Sequence, residues 1–364
     1  MKLKKYAICA CACALASTSA FATQYLYNGG DANSASGYLE ITDGTIPYIR
    51  TYKEIHLYPD GYTGEDYTGG YGYAKYKQAT SAPTESDTIH FMGYRDATDS
   101  TVKYDPDFIT VKNSLSFKDG SVRNDAGTWS STFKLGSADA TESTFTFKTS
   151  GVFEFGFSPT KFQIVSDAAQ TSFNLEIGTL KTSRSGYGSG KIVTLGDANK
   201  GFDSVTVGSL AISQYLPITA YTKQFTVNGN ADILCCADID TALKIFVTDV
   251  EKGKAAFTVY GQLTLTEGKK IELDFSNVAL SDFAEGGDFI LAQFNTSQTL
   301  GDYTDIFGDS LSTSLNGVLG EDNYSLKWRD NILTLNVAAV PEPATVAAIL
   351  GAVAIAFAAY RRRR

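Results

Sequence analysis

The chain has 364 residues, enough for one large or two modest domains, with 40 acidic against 31 basic residues and a formal charge of −9. Three of the lysines and four of the arginines crowd into the two terminal segments, which leaves the body with 24 basic residues and a charge near −16. So acidic a body argues against nucleic acid, whose phosphates repel it, and against charge-driven capture of acidic polysaccharide unless cations bridge the two.

Residues 1–22 read as a secretory signal peptide. Lys2, Lys4 and Lys5 form a basic lead, Tyr6 to Ala16 is an Ala-rich apolar core, and Ala20-Phe21-Ala22 is an A-x-A cleavage site, so the mature chain is expected to start at Thr23. The apolar core is too short for a membrane anchor. Removing it takes Cys9, Cys11 and Cys13 with it and leaves Cys235 and Cys236, adjacent residues that cannot bridge without strain on a strand.

Residues 23–159 are a Tyr- and Gly-rich β region. Tyr58, Tyr62, Tyr67, Tyr71, Tyr73 and Tyr76 cluster among glycines and acids. They read either as cross-strand tyrosines of twisted hairpins or as an exposed aromatic surface for sugars or matrix. Period-two alternation then recurs, marking half-buried strands. It is found at Ser143–Phe147, at Phe153, Phe155 and Phe157, at Val205 and Val207 with Leu210 and Ile212, and at Phe225 and Val227. It returns at Phe257–Val259, at Leu263–Leu265 and, most clearly, at Ile271-Glu272-Leu273-Asp274-Phe275. Turn signals separate these segments, among them Lys118-Asp119-Gly120, Asn228-Gly229 and Glu267-Gly268. Ile239, Leu243, Phe246 and Val250 have helical spacing, but Leu243, Ile245 and Val247 alternate, and β-like flanks favour a strand. Tyr324–Trp328, a break at Arg329-Asp330-Asn331 and Ile332–Val337 form a hairpin.

The spacing of short strands over 160–337 predicts an all-β fold. The reading is a β-solenoid of the right-handed parallel β-helix kind, with an antiparallel β-sandwich as the alternative because no strict repeat is visible.

After the hairpin, 338–343 is an extended linker holding Pro341-Glu342-Pro343, in which each proline lacks an N–H and biases its predecessor toward extended backbone. Residues 344–360 are apolar and uncharged; as a helix they rise roughly 25 Å, near the lower limit for one transmembrane span. Arg361, Arg362, Arg363 and Arg364 follow as a cytoplasmic stop, which places the body outside the cytoplasm. Pro-Glu-Pro, apolar helix and arginine cluster together resemble the PEP-CTERM sorting signal of Gram-negative bacteria. The resemblance covers residues 340–364 only. It implies an exosortase-type membrane enzyme as processing partner, recognition roles for Pro341, Glu342 and Pro343, and delivery to the cell surface or extracellular matrix in connection with exopolysaccharide and biofilm.

No catalytic constellation stands out. His56 and His90 are the only histidines, Gly186-Tyr187-Gly188-Ser189-Gly190 is not a nucleophile elbow, and Gly190-Lys191-Ile192 is not a phosphate loop. Asp105/Asp107 and Asp238/Asp240 are close carboxylate pairs, and Asp197, Asn199 and Asp203 resemble a calcium loop but place Phe202 where glycine is required. The expectation is a non-catalytic exported surface protein without cofactor or metal, anchored in the membrane by its tail before processing. Its rivals are a polysaccharide-binding module or a polysaccharide-degrading enzyme on a β-helix.

Overall fold

The computed structural model describes residues 109–338, apart from 125–130, 157–158, 184–191, 214–215 and 235–240. It also describes strand backbone at 24–27, 39–41, 50–51, 88–95 and 103–104, and Arg361. The strands stack in parallel into a β-solenoid of about five turns. The parallel register excludes the antiparallel sandwich, and the strand expected around Leu243 is present as Thr241–Val247.

Three parallel ladders run the length of the stack. The first face stacks Leu115–Phe117, 144–149, 172–177, 202–207, 222–227, Phe257–Val259 and 292–294. The second stacks Gln24–Tyr27, Thr88–Arg95, Asp119–Asn124, 152–156, 179–182, 209–212, Ala231–Ile233 and Leu263–Leu265. The third stacks Leu39–Ile41, Ile109–Val111, Ser131–Leu135, Thr160–Ile164, Val193–Leu195, 218–222, Thr241–Val247 and Lys270–Asp274. The ladders cross position 160 without interruption.

Alternate residues point inward along strands such as Thr144–Gly156, Ser172–Thr182 and Phe202–Ile212, so the period-two pattern of the sequence becomes the core. Thr160–Ile164 and Ile218–Val227 bury every second side chain along most of their length. Phenylalanine fills the first turns: Phe117, Phe133, Phe147, Phe153, Phe155 and Phe162 are fully buried. Most of their contacts are edge-to-face, while Phe147 and Phe153 meet tilted and Phe133 and Phe162 stack 4.6 Å apart. Further along, Val, Leu and Ile replace them, and one continuous cluster reaches from Val111 to Val337.

The corner between the first and second faces carries a column of glycines. A Cβ on Gly178 would lie 2.6 Å from the Gly151 carbonyl oxygen, and one on Gly229 2.6 Å from that of Gly208. A Cβ on Gly208 would run into the Gly178 carbonyl, and one on Gly261 into the Gly229 carbonyl. Backbone thus lies directly on backbone at this corner, and no side chain fits between the coils. Asn228-Gly229 is a turn, as the sequence suggests, but its flanking strands pair with the coils above and below and not with each other.

A cap closes the far end. Helix α1 (Tyr303–Phe307) starts on Asp302, whose side chain accepts the Thr304 N–H, while the Asp305 side chain accepts the Asp302 N–H. Helix α2 (Ser310–Leu319) buries Leu311, Leu315 and Leu319, a stripe at i, i+4 and i+8. The helices pack on Lys270–Asp274: the Phe275 N–H donates to Ser314 Oγ at 2.6 Å, and Lys270 Nζ donates to the Thr304 and Asp305 carbonyls. The expected hairpin forms from Tyr324–Arg329 and Ile332–Val337 around Asp330 and Asn331, both at positive φ as a two-residue turn requires. Ile332–Val337 is zipped antiparallel between Gly287–Phe294 and Tyr324–Arg329. The outermost strand exposes Ser325, Lys327 and Arg329, and the two charges discourage edge-to-edge pairing. Among the described residues no helix is long and apolar enough to cross a membrane; the span expected at 344–360 lies outside them.

Gly208→Ala is expected to destabilise the protein by about 1–3 kcal/mol or more, because the obstructing atom is backbone and cannot swing aside. Gly317→Ala, on the open side of α2 with nothing within 4 Å, is expected to stabilise by roughly 0.5–1 kcal/mol. Chemical-denaturation curves of the two variants check the pair.

Candidate functional site: the outward ladders and the capped end

Outward positions in register form rows along the solenoid, and these rows hold most of the polar chemistry of the described body. Lys148 pairs with Glu176 at 3.3 Å, Lys181 with Glu154 at 3.6 Å and Lys161 with Asp197 at 3.4 Å. Lys223 joins Asp203 (3.1 Å) to Asp249 (3.2 Å), and Lys244 joins Glu272 to Asp274 (3.1 Å). Hydroxyls and amides continue the rows: Ser204 Oγ donates to Asn174 Oδ1 at 2.7 Å, and Thr179 and Ser209 share a hydrogen bond at 2.9 Å. At the corner between the third and first faces, buried Gln170 donates to the Lys112 carbonyl and accepts from the Ser137 N–H, while Glu142 accepts from the N–H and hydroxyl of Ser114. That network ties successive coils together.

The electrostatics agree with a structural role for these pairs. Burial pushes the Asp203 carboxyl up, but the Phe173 N–H, the Ser172 hydroxyl and Lys223 outweigh it and hold the group below its ordinary 3.8. Burial likewise opposes ionisation of Asp274, and bonds from Ser276 and Lys244 bring it below 3.8. Lys223 and Lys244 lie above the ordinary 10.5 because their paired carboxylates outweigh desolvation.

A cleft of about 430 Å³ opens where the third face meets α2, lined by Glu272, Asp274, Ser276, Ser310, Thr313 and Ser314. Its two carboxylates would be the obvious acid–base pair for glycoside hydrolysis. Both are engaged by one ammonium, that of Lys244, and Asp274 is shifted away from the raised value a general acid needs. Ser314 is committed to Asp274 and to the Phe275 N–H. Among the described residues no group of His, Cys, Asp and Glu is arranged to hold a metal.

Asp197 accepts the N–H groups of Asn199 and Lys200 in a local turn, while Asp203 clamps Phe173 and Lys223, so the calcium-like spacing does not converge on a common point. His90 sits on the second-face strand Thr88–Arg95, in register with Leu26 and Ser121. Ala20, Ala22, Pro341, Glu342, Pro343, Arg362, Arg363 and Arg364 lie outside the described residues, and Arg361 is exposed. The tyrosine cluster 58–76, His56, Cys235, Cys236, Asp105, Asp107, Asp238 and Asp240 lie outside them as well. The cross-coil ion pairs are not legible in the sequence, because partners such as Lys244 and Glu272 stand 28 residues apart and meet only through the coil register. No family model, no curated protein and no solved structure matches the chain.

The ion pairs set a pH window. Asp203 and Asp274 contribute stability above their unfolded pKa near 3.8 and lose it as pH falls through their lower folded values. Lys223 and Lys244 contribute below their unfolded pKa near 10.5 and lose it as pH rises through their higher folded values. The contribution of these pairs is therefore expected to be flat between these limits and to fall outside them. Asp274→Asn should reduce the acid-side slope in denaturation curves taken across pH, by an amount no larger than about 1 kcal/mol because the pair is partly exposed and screened.

Proposed function

We propose that the chain is a non-catalytic, exported cell-surface or extracellular-matrix protein whose destination is written in its two terminal segments. The carrying observation is their conjunction: a three-part signal at 1–22 and, at 340–364, Pro341-Glu342-Pro343, an uncharged apolar run and Arg361 to Arg364. On this reading the signal starts export, residues 344–360 halt it as a single transmembrane helix, and the arginines stay on the cytoplasmic side. Pro341, Glu342 and Pro343 are then presented to an exosortase-type processing enzyme, as their resemblance to a PEP-CTERM signal implies. The body is the passenger, a solenoid of the right-handed kind. The lysines on the outward ladders, among them Lys148, Lys223 and Lys244, are held by carboxylates of neighbouring coils, which supports a surface and matrix role over a chemical one. Extracellular polysaccharide remains the candidate partner, through outward surfaces and the tyrosine cluster at 58–76.

Mass spectrometry of the mature protein recovered from the cell surface tests the sorting step. The expected result is a chain that starts at Thr23 and has lost Arg361 to Arg364, with the tail retained when Pro341, Glu342 and Pro343 are replaced by alanine. Intact arginines on every surface copy of the unaltered protein would overturn processing and leave a permanent anchor.

A further inference from the structure

Two Asn-Gly pairs occur among the described residues, and the fold treats them oppositely. Asn316-Gly317 lies inside α2, where the helix ladder engages the Gly317 N–H, and Asn316 Oδ1 accepts the Tyr324 hydroxyl at 2.6 Å. Asn228-Gly229 lies at the glycine corner. There Asn228 is exposed, and its side-chain amide has no partner among the described residues. The backbone is held on either side, by Asn228 N–H to the Val207 carbonyl and by Gly261 N–H to the Gly229 carbonyl. The Gly229 N–H between them donates to no carbonyl among the described residues.

That free nitrogen is the nucleophile of a self-contained reaction. Deprotonated, it attacks Asn228 Cγ, a C–N bond forms, and the side-chain nitrogen leaves as ammonia. The resulting five-membered succinimide is opened by water to aspartate or to isoaspartate, with no enzyme, oxidant or cofactor. Glycine in the second position removes the Cβ that would crowd the ring.

We propose that Asn228 is a spontaneous modification site of the folded protein, and that conversion there ages the solenoid at its middle coils while Asn316 is shielded. Isoaspartate reroutes the main chain through the side chain and lengthens it by one atom. Gly229 sits where a Cβ would already lie 2.6 Å from the Gly208 carbonyl oxygen, and its own carbonyl blocks any Cβ on Gly261. The longer corner does not fit that stack, and the new carboxylate adds negative charge to an acidic body.

The test incubates the full, natively folded protein in mildly alkaline buffer and follows peptides containing Asn228 and Asn316 by mass spectrometry, with isoaspartate resolved by fragmentation. A parallel sample is kept unfolded in denaturant. In the unfolded sample the two sites should react at similar rates. In the folded sample Asn228 should react about tenfold or more faster than Asn316, the equivalent of ~1.4 kcal/mol or more of local helix opening. The aged folded fraction should also melt below fresh protein, and Asn228→Gln should abolish that loss. Equal rates at the two sites in the folded protein, or an Asn228 that reacts only when unfolded, would overturn the proposal.

Discussion

Backbone-on-backbone contact at one corner is the constraint from which the rest of the architecture follows. Gly151, Gly178, Gly208, Gly229 and Gly261 stand above one another, each too close to its neighbour's carbonyl for a side chain. This fixes where these coils turn from the first face to the second. With the corner fixed, the alternation on either side determines which residues face inward, because a one-residue slip in a strand would send its whole apolar set to solvent. The core from Val111 to Val337 and the outward rows of charge are both consequences of that register.

The same register explains how an acidic chain tolerates close stacking. Strands that would set like charges opposite one another set lysine against aspartate or glutamate, with Lys223 and Lys244 each serving two carboxylates. Each partly exposed pair contributes little by itself. Their effect is to remove repulsion that would otherwise accumulate along the rows. In the cleft beside α2 the same device recurs, with Lys244 bridging Glu272 and Asp274 and helping to hold Asp274 below its ordinary pKa.

Much of this was legible in the sequence, and the failures have identifiable causes. The alternating segments at Ser143–Phe147, Val205–Ile212, Phe257–Val259, Leu263–Leu265 and Ile271–Phe275 are strands with the expected faces inward, and the hairpin ending at Val337 is present. The repeat was hidden because the stacked residues Leu175, Val205, Phe225 and Phe257 are separated by 30, 20 and 32 positions. What recurs is a short corner pattern, an alternating apolar pair, glycine, then another alternating pair: Leu175-Glu176-Ile177-Gly178-Thr179-Leu180, Val205-Thr206-Val207-Gly208-Ser209-Leu210, Phe257-Thr258-Val259-Tyr260-Gly261-Gln262-Leu263. Variable connections between these corners defeat any search for a fixed period. Helix α2 is masked in the sequence although Leu311, Leu315 and Leu319 have helical spacing, because serine, threonine and glycine fill positions between them and are poor helix formers. Of the residues assigned to sorting, only Arg361 lies within the described structure, so the functional reading stays with the sequence that suggested it.

The register between coils is best tested by paired cysteines in a chain whose Cys235 and Cys236 are replaced by serine. Thr206 and Thr226 are direct neighbours on the first face, as are Thr226 and Thr258. Neighbouring strands lie about 4.8 Å apart, inside the Cα range that a disulfide spans. Mild oxidation of Thr206→Cys with Thr226→Cys, and separately of Thr226→Cys with Thr258→Cys, is predicted to close an intramolecular disulfide in each case. Thr206→Cys with Gln224→Cys, displaced by two positions, is predicted to stay reduced. Bridging of the displaced pair in place of the matched ones would contradict the stacking on which the whole account depends.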